Sequence, residues 1–370
     1  MQRASSASSP DWARLLGRAI SGTAAPSLAA AAGRRVLVTG AGGFIGSEMV
    51  RILAASGARQ IVLLEIAEEK LFAISEEMTG RGFGHLCSPV LGSVCDRSLL
   101  AELFAHHRPD LVLHAAALKH VPLMERNPFA AVETNSLGTW ALAEAALAHY
   151  ARQMILISTD KAVEPHSIMG ASKRIAELIM QARPRAGAAL RSSVVRLANV
   201  IGSPCSVAPL FAEQIDRGGP LTITDPRARR YFLSLSEVVQ LLGQVIATEP
   251  AGILVPDPGP PVPITDLARR MMAAAGRQLP VAITGLRPGD KIDESLISTA
   301  ERYEGQATPG LRRVVSSGPA DLRAGIEQLS AALAARDQAQ LLRIVQELVP
   351  DYQPSDLLRR GLPEAAPAQS

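Results

Sequence analysis

With 370 residues, 47% of them hydrophobic, the chain can bury one large core or two modest ones, which sets aside the disordered and fibrous classes except at its ends. Its 38 basic and 35 acidic residues leave a net charge of +3 that is dispersed rather than striped, and aromatics make up only 4%, so a nucleic-acid partner is not expected. Three cysteines (Cys87, Cys95, Cys205) without zinc-ligand spacing, no secretory signal, and no run near the roughly 20 apolar residues of a membrane span point to a cytoplasmic chain with neither metal nor transmembrane segment.

The segment 1–34, rich in Ala and Ser, reads as a leader or linker. From Arg35 the pattern changes: VLVT over Val36–Thr39 is an apolar strand, a glycine-rich turn follows, and Ile45 to Ala55 has helical spacing. Strands are then expected at Ile61–Glu65, Val90–Val94, Leu111–His114, Met154–Ile157 and Val194–Leu197. Helices are expected at Ala67–Thr79, Ser98–His106 and Phe129–Ala148. Apolar strands alternating with amphipathic helices predict an α/β fold with a Rossmann-like, doubly wound parallel sheet over 35–202. Beyond it Pro and Gly become frequent, so 203–315 is read as a smaller, loop-rich substrate domain returning to the sheet's open edge. In 316–370, Leu322, Ile326, Leu329 and Leu333, then Leu341, Leu342, Val345 and Leu348, predict two short amphipathic helices, with a disordered tail after Pro363.

The turn TGAGGFIG over Thr39–Gly46 places Gly40, Gly43 and Gly46 between a strand and a helix that begins near Phe44 and Ile45. Such glycines serve a tight turn, close approach of backbone to a pyrophosphate, and close helix–strand packing, with the anion at the helix N-terminus. Glu65 ends the second strand about 20 residues on, where a carboxylate hydrogen-bonds ribose hydroxyls and repels a 2′-phosphate, so NAD is expected over NADP. Ser93 and Val94 fall where an adenine edge is contacted. Ligands of open α/β sheets bind outside the carboxyl ends of strands. Two such ends carry polar or small residues: Ser158, Thr159, Asp160 and Lys161 at one, and His114, Ala115, Ala116 and Ala117 at another. Met169 and Lys173 lie four residues apart, on one helix face.

The glycine turn, the HAAA element, and a strand-end serine followed by a helix lysine resemble the extended short-chain dehydrogenase/reductase superfamily. Longer runs narrow the likeness: HAAALKHVPLME from His114, Thr134-Asn135, STDKAV from Ser158, MGASKR from Met169, NVIG from Asn199, RYF from Arg230 and TGLRPGDK from Thr284. Together they resemble the UDP-N-acetylglucosamine 4,6-dehydratases of capsular-polysaccharide and protein-glycosylation pathways, from about Val36 to Leu296. The superfamily's usual tyrosine, four residues before the helix lysine, is replaced here by Met169, as in one branch of these dehydratases.

The resemblance implies bound NAD, a UDP-sugar substrate, a homo-oligomer of two or more chains, and the following chemistry. Hydride leaves sugar carbon 4 for the cofactor, a base removes the carbon 5 hydrogen while an acid protonates the leaving carbon 6 hydroxyl, and hydride returns to carbon 6. By resemblance Asp160 is the acid, Lys161 the base, Lys173 the holder of the nicotinamide ribose and Ser158 an orienting residue. To act as base, Lys161 has to lose affinity for its proton, which a water-poor pocket, Lys173 and the nicotinamide charge would favour. Burial would keep Asp160 protonated and the lysines would oppose it. Since Met169 transfers no proton, the carbon 4 hydroxyl is left to Thr159 as a relay, to Lys161, or to water. Asn199, Arg230 and Arg287 match UDP-contacting positions, and Lys119, His120 and Asn135 lie in motifs bordering the sugar.

Phe44, Glu65, Ser93, Ala198 and the Pro204-Cys205-Ser206 run depart from the family pattern. Ser93 puts the adenine contact in question, and the run at Pro204 the phosphate loop. The run ARLLGR from Ala13 to Arg18 resembles the linker that joins membrane and catalytic parts in longer relatives, so a weak membrane contact there is one expectation. A related epimerase or reductase, and a dinucleotide-binding regulator without turnover, are the rival readings.

Overall fold

A computed structural model describes residues 11–20, 28–182, 190–316 and 322–360. The tail expected to be disordered after Pro363 and half of the proposed leader lie outside them. Nine strands form one sheet: β1 Arg35–Thr39, β2 Gln60–Glu65, β3 Cys87–Leu91, β4 Leu111–His114, β5 Gln153–Thr159, β6 Arg191–Leu197, β7 Gly252–Pro256, β8 Arg302–Thr308 and β9 Leu311–Val315. Their order is β8-β9-β7-β6-β5-β4-β1-β2-β3, parallel from β7 to β3, with β9 antiparallel to both β7 and β8. The fold is thus Rossmann-like and doubly wound. The chain runs outward from β1 to β3 and then crosses back to β4, so β1 and β4 diverge at a topological switch point.

Both faces of the sheet are dry. Leu37, Val112, Met154 and Val194 alternate with Val38, Leu113, Ile155 and Val195, so successive residues enter opposite apolar layers at the centre of the sheet. The helices covering it carry their own start signals. Asp96 caps Arg97–His107 by accepting from the Leu99 amide, Ser167 caps Ile168–Gln181 by accepting from the Gly170 amide, and Ser234 with Glu237 forms a reciprocal box at Leu235–Thr248. A third apolar cluster, around Phe211, Leu221, Phe232 and Leu267, supports a smaller lobe of short strand pairs beside the carboxyl ends of β5 and β6.

Several expectations are corrected. The third strand is Cys87–Leu91, so Ser93 and Val94 sit in the turn beyond it; Gly92 starts that turn, packed so closely that a Cβ would lie 2.1 Å from Leu99. Ser158 and Thr159 belong to β5, and Asp160 opens a 3₁₀ turn. The helix expected over Phe129–Ala148 is three pieces: Pro128–Val132, a π turn Glu133–Leu137, and Gly138–Ala148. The segment after 203, read as a smaller domain returning to the sheet's open edge, contributes three strands to the main sheet, of which the apolar run Ile253–Val255 marks one. The stretch read as a membrane-side linker is docked on protein: Leu15 and Leu16 of helix Trp12–Leu16 are buried in the smaller lobe, and Trp12 packs over Gly202. Among the described residues no helix is long and apolar enough to cross a membrane.

Candidate functional site

At the switch point the glycine turn is defined by what a side chain would strike. Gly40 has φ +68°, and a Cβ there would meet the Ala116 amide nitrogen at 2.8 Å; a Cβ on Gly46 would come 2.1 Å from the Gly40 carbonyl oxygen. Ala115 donates its amide to the Thr39 carbonyl at 3.1 Å, which fixes the β4 end against the turn. The helix that starts at Phe44 and Ile45 has no side-chain cap, leaving its first amides to whatever lies over the glycines. Glu65 is buried: Oε2 accepts the Gly42 amide at 3.0 Å and Oε1 those of Ile66 and Ala67 at 3.0 and 3.1 Å. Its carboxylate therefore locks the turn and keeps one acceptor position on Oε2 for a further donor. A cradle filled by any Cβ, free helix amides and a strand-end carboxylate fit a dinucleotide.

Beyond the turn, Ser93 accepts the Cys95 amide at 3.1 Å, and Val94 packs beneath Gly138. His114, at the end of β4, is wholly buried between two threonines, 2.7 Å from Thr39 Oγ1 and 2.9 Å from Thr139 Oγ1. Since Thr139 donates its own proton to the Asn135 carbonyl, it accepts from Nε2–H, and Thr39 donates to Nδ1. Burial, reinforced by the Lys173 charge, lowers the His114 pKa to about 3, so the ring is a neutral brace.

The end of β5 brings an aspartate and a lysine together. Asp160 is fully buried; its Oδ1 accepts from Thr159 Oγ1 and from Lys161 Nζ, both at 2.9 Å, while Oδ2 has no hydrogen-bond partner among the described residues. Lys161 Nζ also donates to Asn199 Oδ1 at 3.1 Å and lies 3.4 Å from Glu294 Oε1. Burial works against the Lys161 ammonium, but Asp160 and Glu294 more than offset it and hold its pKa above the ordinary lysine range. That corrects the expectation of a lowered value: the two carboxylates outweigh desolvation. Burial lowers the pKa of Lys173 to about 8; it donates to the Ile157 carbonyl at 2.7 Å. Met169 is buried one turn earlier in the same helix.

Ser158 turns its hydroxyl the other way, to Glu177 Oε1 at 2.6 Å. Glu177 belongs to a buried ion network in which Arg196, fully enclosed, forks to Glu177 (2.7 and 3.1 Å) and Glu301 (2.8 and 3.0 Å) and holds the Leu296 carbonyl at 2.8 Å. This clamp ties β5, β6, the Lys173 helix and the segment bearing Glu294 to one guanidinium. Ser158 thus anchors the strand end rather than facing a ligand.

Lys161 and Asn199 open into a cavity of about 380 Å³, together with Lys119, His120, Arg230 and Arg287. Arg230 is held by the Lys291 and Ile292 carbonyls, Arg287 by Asp290, and Lys119 by the Pro204 carbonyl. Asn135 is not among the lining residues. Its amide is taken by Leu118 on both sides, at 2.9 and 3.0 Å, and by Ser172 at 3.0 Å, so it shapes the loop instead of touching a ligand. Sequence reasoning also missed Glu294, in the IDES run after the GDK motif. It missed Lys70 as well, which packs on Gly42 and whose charge, after burial, helps lower the pKa values of Lys119 and His120.

The pattern of the family described as polysaccharide biosynthesis protein matches residues 36–315. "Probable polysaccharide biosynthesis protein EpsC" of Bacillus subtilis is 42% identical over 75% of the chain, which spans about half of that relative's length, 47%. A UDP-glucose 4-epimerase of Rickettsia rickettsii is 33% identical over 72% of this chain and 79% of its own. The crystal structure of DesIV, a dTDP-glucose 4,6-dehydratase from Streptomyces venezuelae with NAD and TYD bound, shares the fold at a TM-score of 0.62, with 24% identity over 71% of this chain and 88% of that one.

Proposed function

The chain belongs to the polysaccharide biosynthesis protein family, and from that premise we propose that it is a cytoplasmic UDP-N-acetylglucosamine 4,6-dehydratase that works with bound NAD as a homo-oligomer. The product is a 4-keto-6-deoxy sugar nucleotide with retention at carbon 5, supplied to glycan assembly. The observation that carries this reading is the pair of buried Asp160 and partly exposed Lys161 at the end of β5, opening into a cavity bordered by Arg230 and Arg287. An elimination needs an acid and a base side by side; simple inversion at carbon 4 does not.

Bound NAD would supply reversible hydride acceptance; Lys173 and the glycine turn would hold it, with Glu65 on the adenosine ribose favouring NAD over NADP. The chain's own residues handle the protons. Thr159 already donates to Asp160, so a proton received at Thr159 Oγ1 from the carbon 4 hydroxyl moves on to Asp160. Asp160 then holds the proton with which the carbon 6 hydroxyl leaves as water. Lys161 takes the carbon 5 proton and returns it to carbon 5 when hydride arrives at carbon 6. Arg230, Arg287 and Lys119 meet the diphosphate.

The 33% identity to a protein named UDP-glucose 4-epimerase favours one second reading, inversion at carbon 4. Incubation with UDP-N-acetylglucosamine in deuterated water, followed by NMR, separates the two. Loss of the carbon 6 hydroxyl with deuterium at carbon 5 is the dehydratase result, and inversion alone is the epimerase result. Asp160→Asn and Lys161→Ala should each abolish elimination; full turnover in either removes that residue from its role.

A further inference from the structure

We infer that Glu294 is a positioning residue for this reaction, holding the proton that Lys161 must give up before it can act as a base. The inference rests on the dehydratase reading above. A base needs a free lone pair on Nζ, yet Lys161 faces Asp160 Oδ1 at 2.9 Å, Asn199 Oδ1 at 3.1 Å and Glu294 Oε1 at 3.4 Å, an environment built for an ammonium. Something close by has to accept that proton.

The other neighbours are unsuited. Asp160 is occupied by the carbon 4 proton arriving through Thr159, the Asn199 amide oxygen is not basic, and Arg230 is a cation. Glu294 has the capacity. Its side chain is 3% exposed, and its Oε2 is buried without a hydrogen-bond partner among the described residues. Lys291 Nζ lies 4.0 Å from that oxygen and donates to the Val163 carbonyl instead. His166, the remaining titratable group near Glu294, is kept neutral mainly by burial and then by Lys291. The Arg196 clamp fixes the loop: it binds the Leu296 carbonyl at 2.8 Å, and Glu301 accepts the Ser298 amide at 2.9 Å.

The proton count closes. At the start Lys161 is charged and Asp160 and Glu294 are ionised. Oxidation at carbon 4 delivers one proton to Asp160, which weakens the hold on the Lys161 ammonium, and Lys161 passes its proton to Glu294. Neutral Lys161 removes the carbon 5 proton while Asp160 protonates the departing hydroxyl. Lys161 returns its proton to carbon 5 as hydride reaches carbon 6, then recovers the stored proton from Glu294. The net change is loss of one water, with all three side chains restored.

Titration of ¹³C-labelled lysine in the protein without added nucleotide sugar should show Lys161 charged beyond the ordinary value of 10.5, and should show it titrating more than about one pH unit lower in Glu294→Gln. Glu294→Gln should still form reduced nicotinamide on adding UDP-N-acetylglucosamine. Its carbon 5 deuterium exchange at about pH 7 should fall at least about tenfold and recover as the pH is raised, with Glu294→Asp restoring the wild-type profile. A Glu294 with a merely structural role would leave the profile flat. Lys161 titrating below about 9 in the wild-type protein, a measurement that needs no variant, overturns the inference, as does a wild-type exchange rate in Glu294→Gln. Wild-type protein that shows the Lys161–Glu294 coupling but leaves the sugar intact overturns the dehydratase reading, and this use of the pair with it, while the coupling stands.

Discussion

Replacing Gly46 by Ala tests the cofactor cradle with a single methyl group. The new Cβ would stand 2.1 Å from the Gly40 carbonyl oxygen and 3.2 Å from Ala41 Cα, whereas ordinary contact begins at 3.4 Å. Gly40 cannot yield: its amide is bound to the Leu64 carbonyl at 2.8 Å, its carbonyl accepts the Gly43 amide at 2.9 Å, and Ala116 lies against its other side. The helix Phe44–Ala55 must therefore lift by about 1.3 Å at its first turn, a shift of the kind that costs roughly 1–3 kcal/mol in a packed core. Expressed on binding, this is about a 5- to 150-fold rise in the Kd for NAD if, as proposed, the displaced amides hold the pyrophosphate. Calorimetric titration with NAD, alongside a thermal melt, reads both parts. Unchanged affinity with an unchanged melt would refute the close-packing argument, and a lowered melt with unchanged affinity would remove the helix start from the binding site.

Glu177→Gln should destabilise the protein by about 3 kcal/mol in denaturant titration, since it removes one carboxylate from the buried Arg196 charge; a loss under about 1 kcal/mol would show that Glu301 suffices alone. Burial opposes the Glu177 charge, but Arg196 and Arg174 outweigh it and lower its pKa from 4.5 to about 2. Its stabilisation is therefore complete above pH 4.5 and fades as the pH falls toward 2, so wild-type stability should drop more steeply there than that of Glu177→Gln. Arg18→Ala breaks the fork to Glu237 (2.7 and 2.9 Å) and the bond to the Phe232 carbonyl (2.7 Å), which brace the strand pair carrying Asn199. It should raise KM for the nucleotide sugar several-fold with little change in kcat, and an unaltered KM would show the brace to be idle.

The parallel sheet was legible because strands buried on both faces appear as short apolar runs; Val36–Thr39 and Leu111–His114 needed no tertiary information. The glycine turn was legible because one of its constraints, Gly46 against the Gly40 carbonyl, acts between residues only six apart. What escaped was set by distant contacts. Ser158 reads as a site residue until Glu177 claims its hydroxyl, Asn135 until Leu118 and Ser172 take its amide, and Glu294 reads as one more loop acid until the fold brings it 3.4 Å from Lys161. The direction of the Lys161 pKa was misjudged for the same reason, because the second carboxylate that decides it lies 133 positions away in the chain.

The π turn at Glu133–Leu137 acts as a phase setter. Its wider coil gives Asn135 the reach to Leu118 on one side and Ser172 on the other, while letting Gly138–Ala148 resume with Trp140 and Ala143 facing the core. Removing one residue there would restore a regular α-helix but rotate everything after it by about 100°. Length is therefore a tighter constraint than composition in this stretch: substitutions at the exposed Glu133 should be tolerated, whereas a single insertion or deletion would unseat the loop that Asn135 holds and the core helix together.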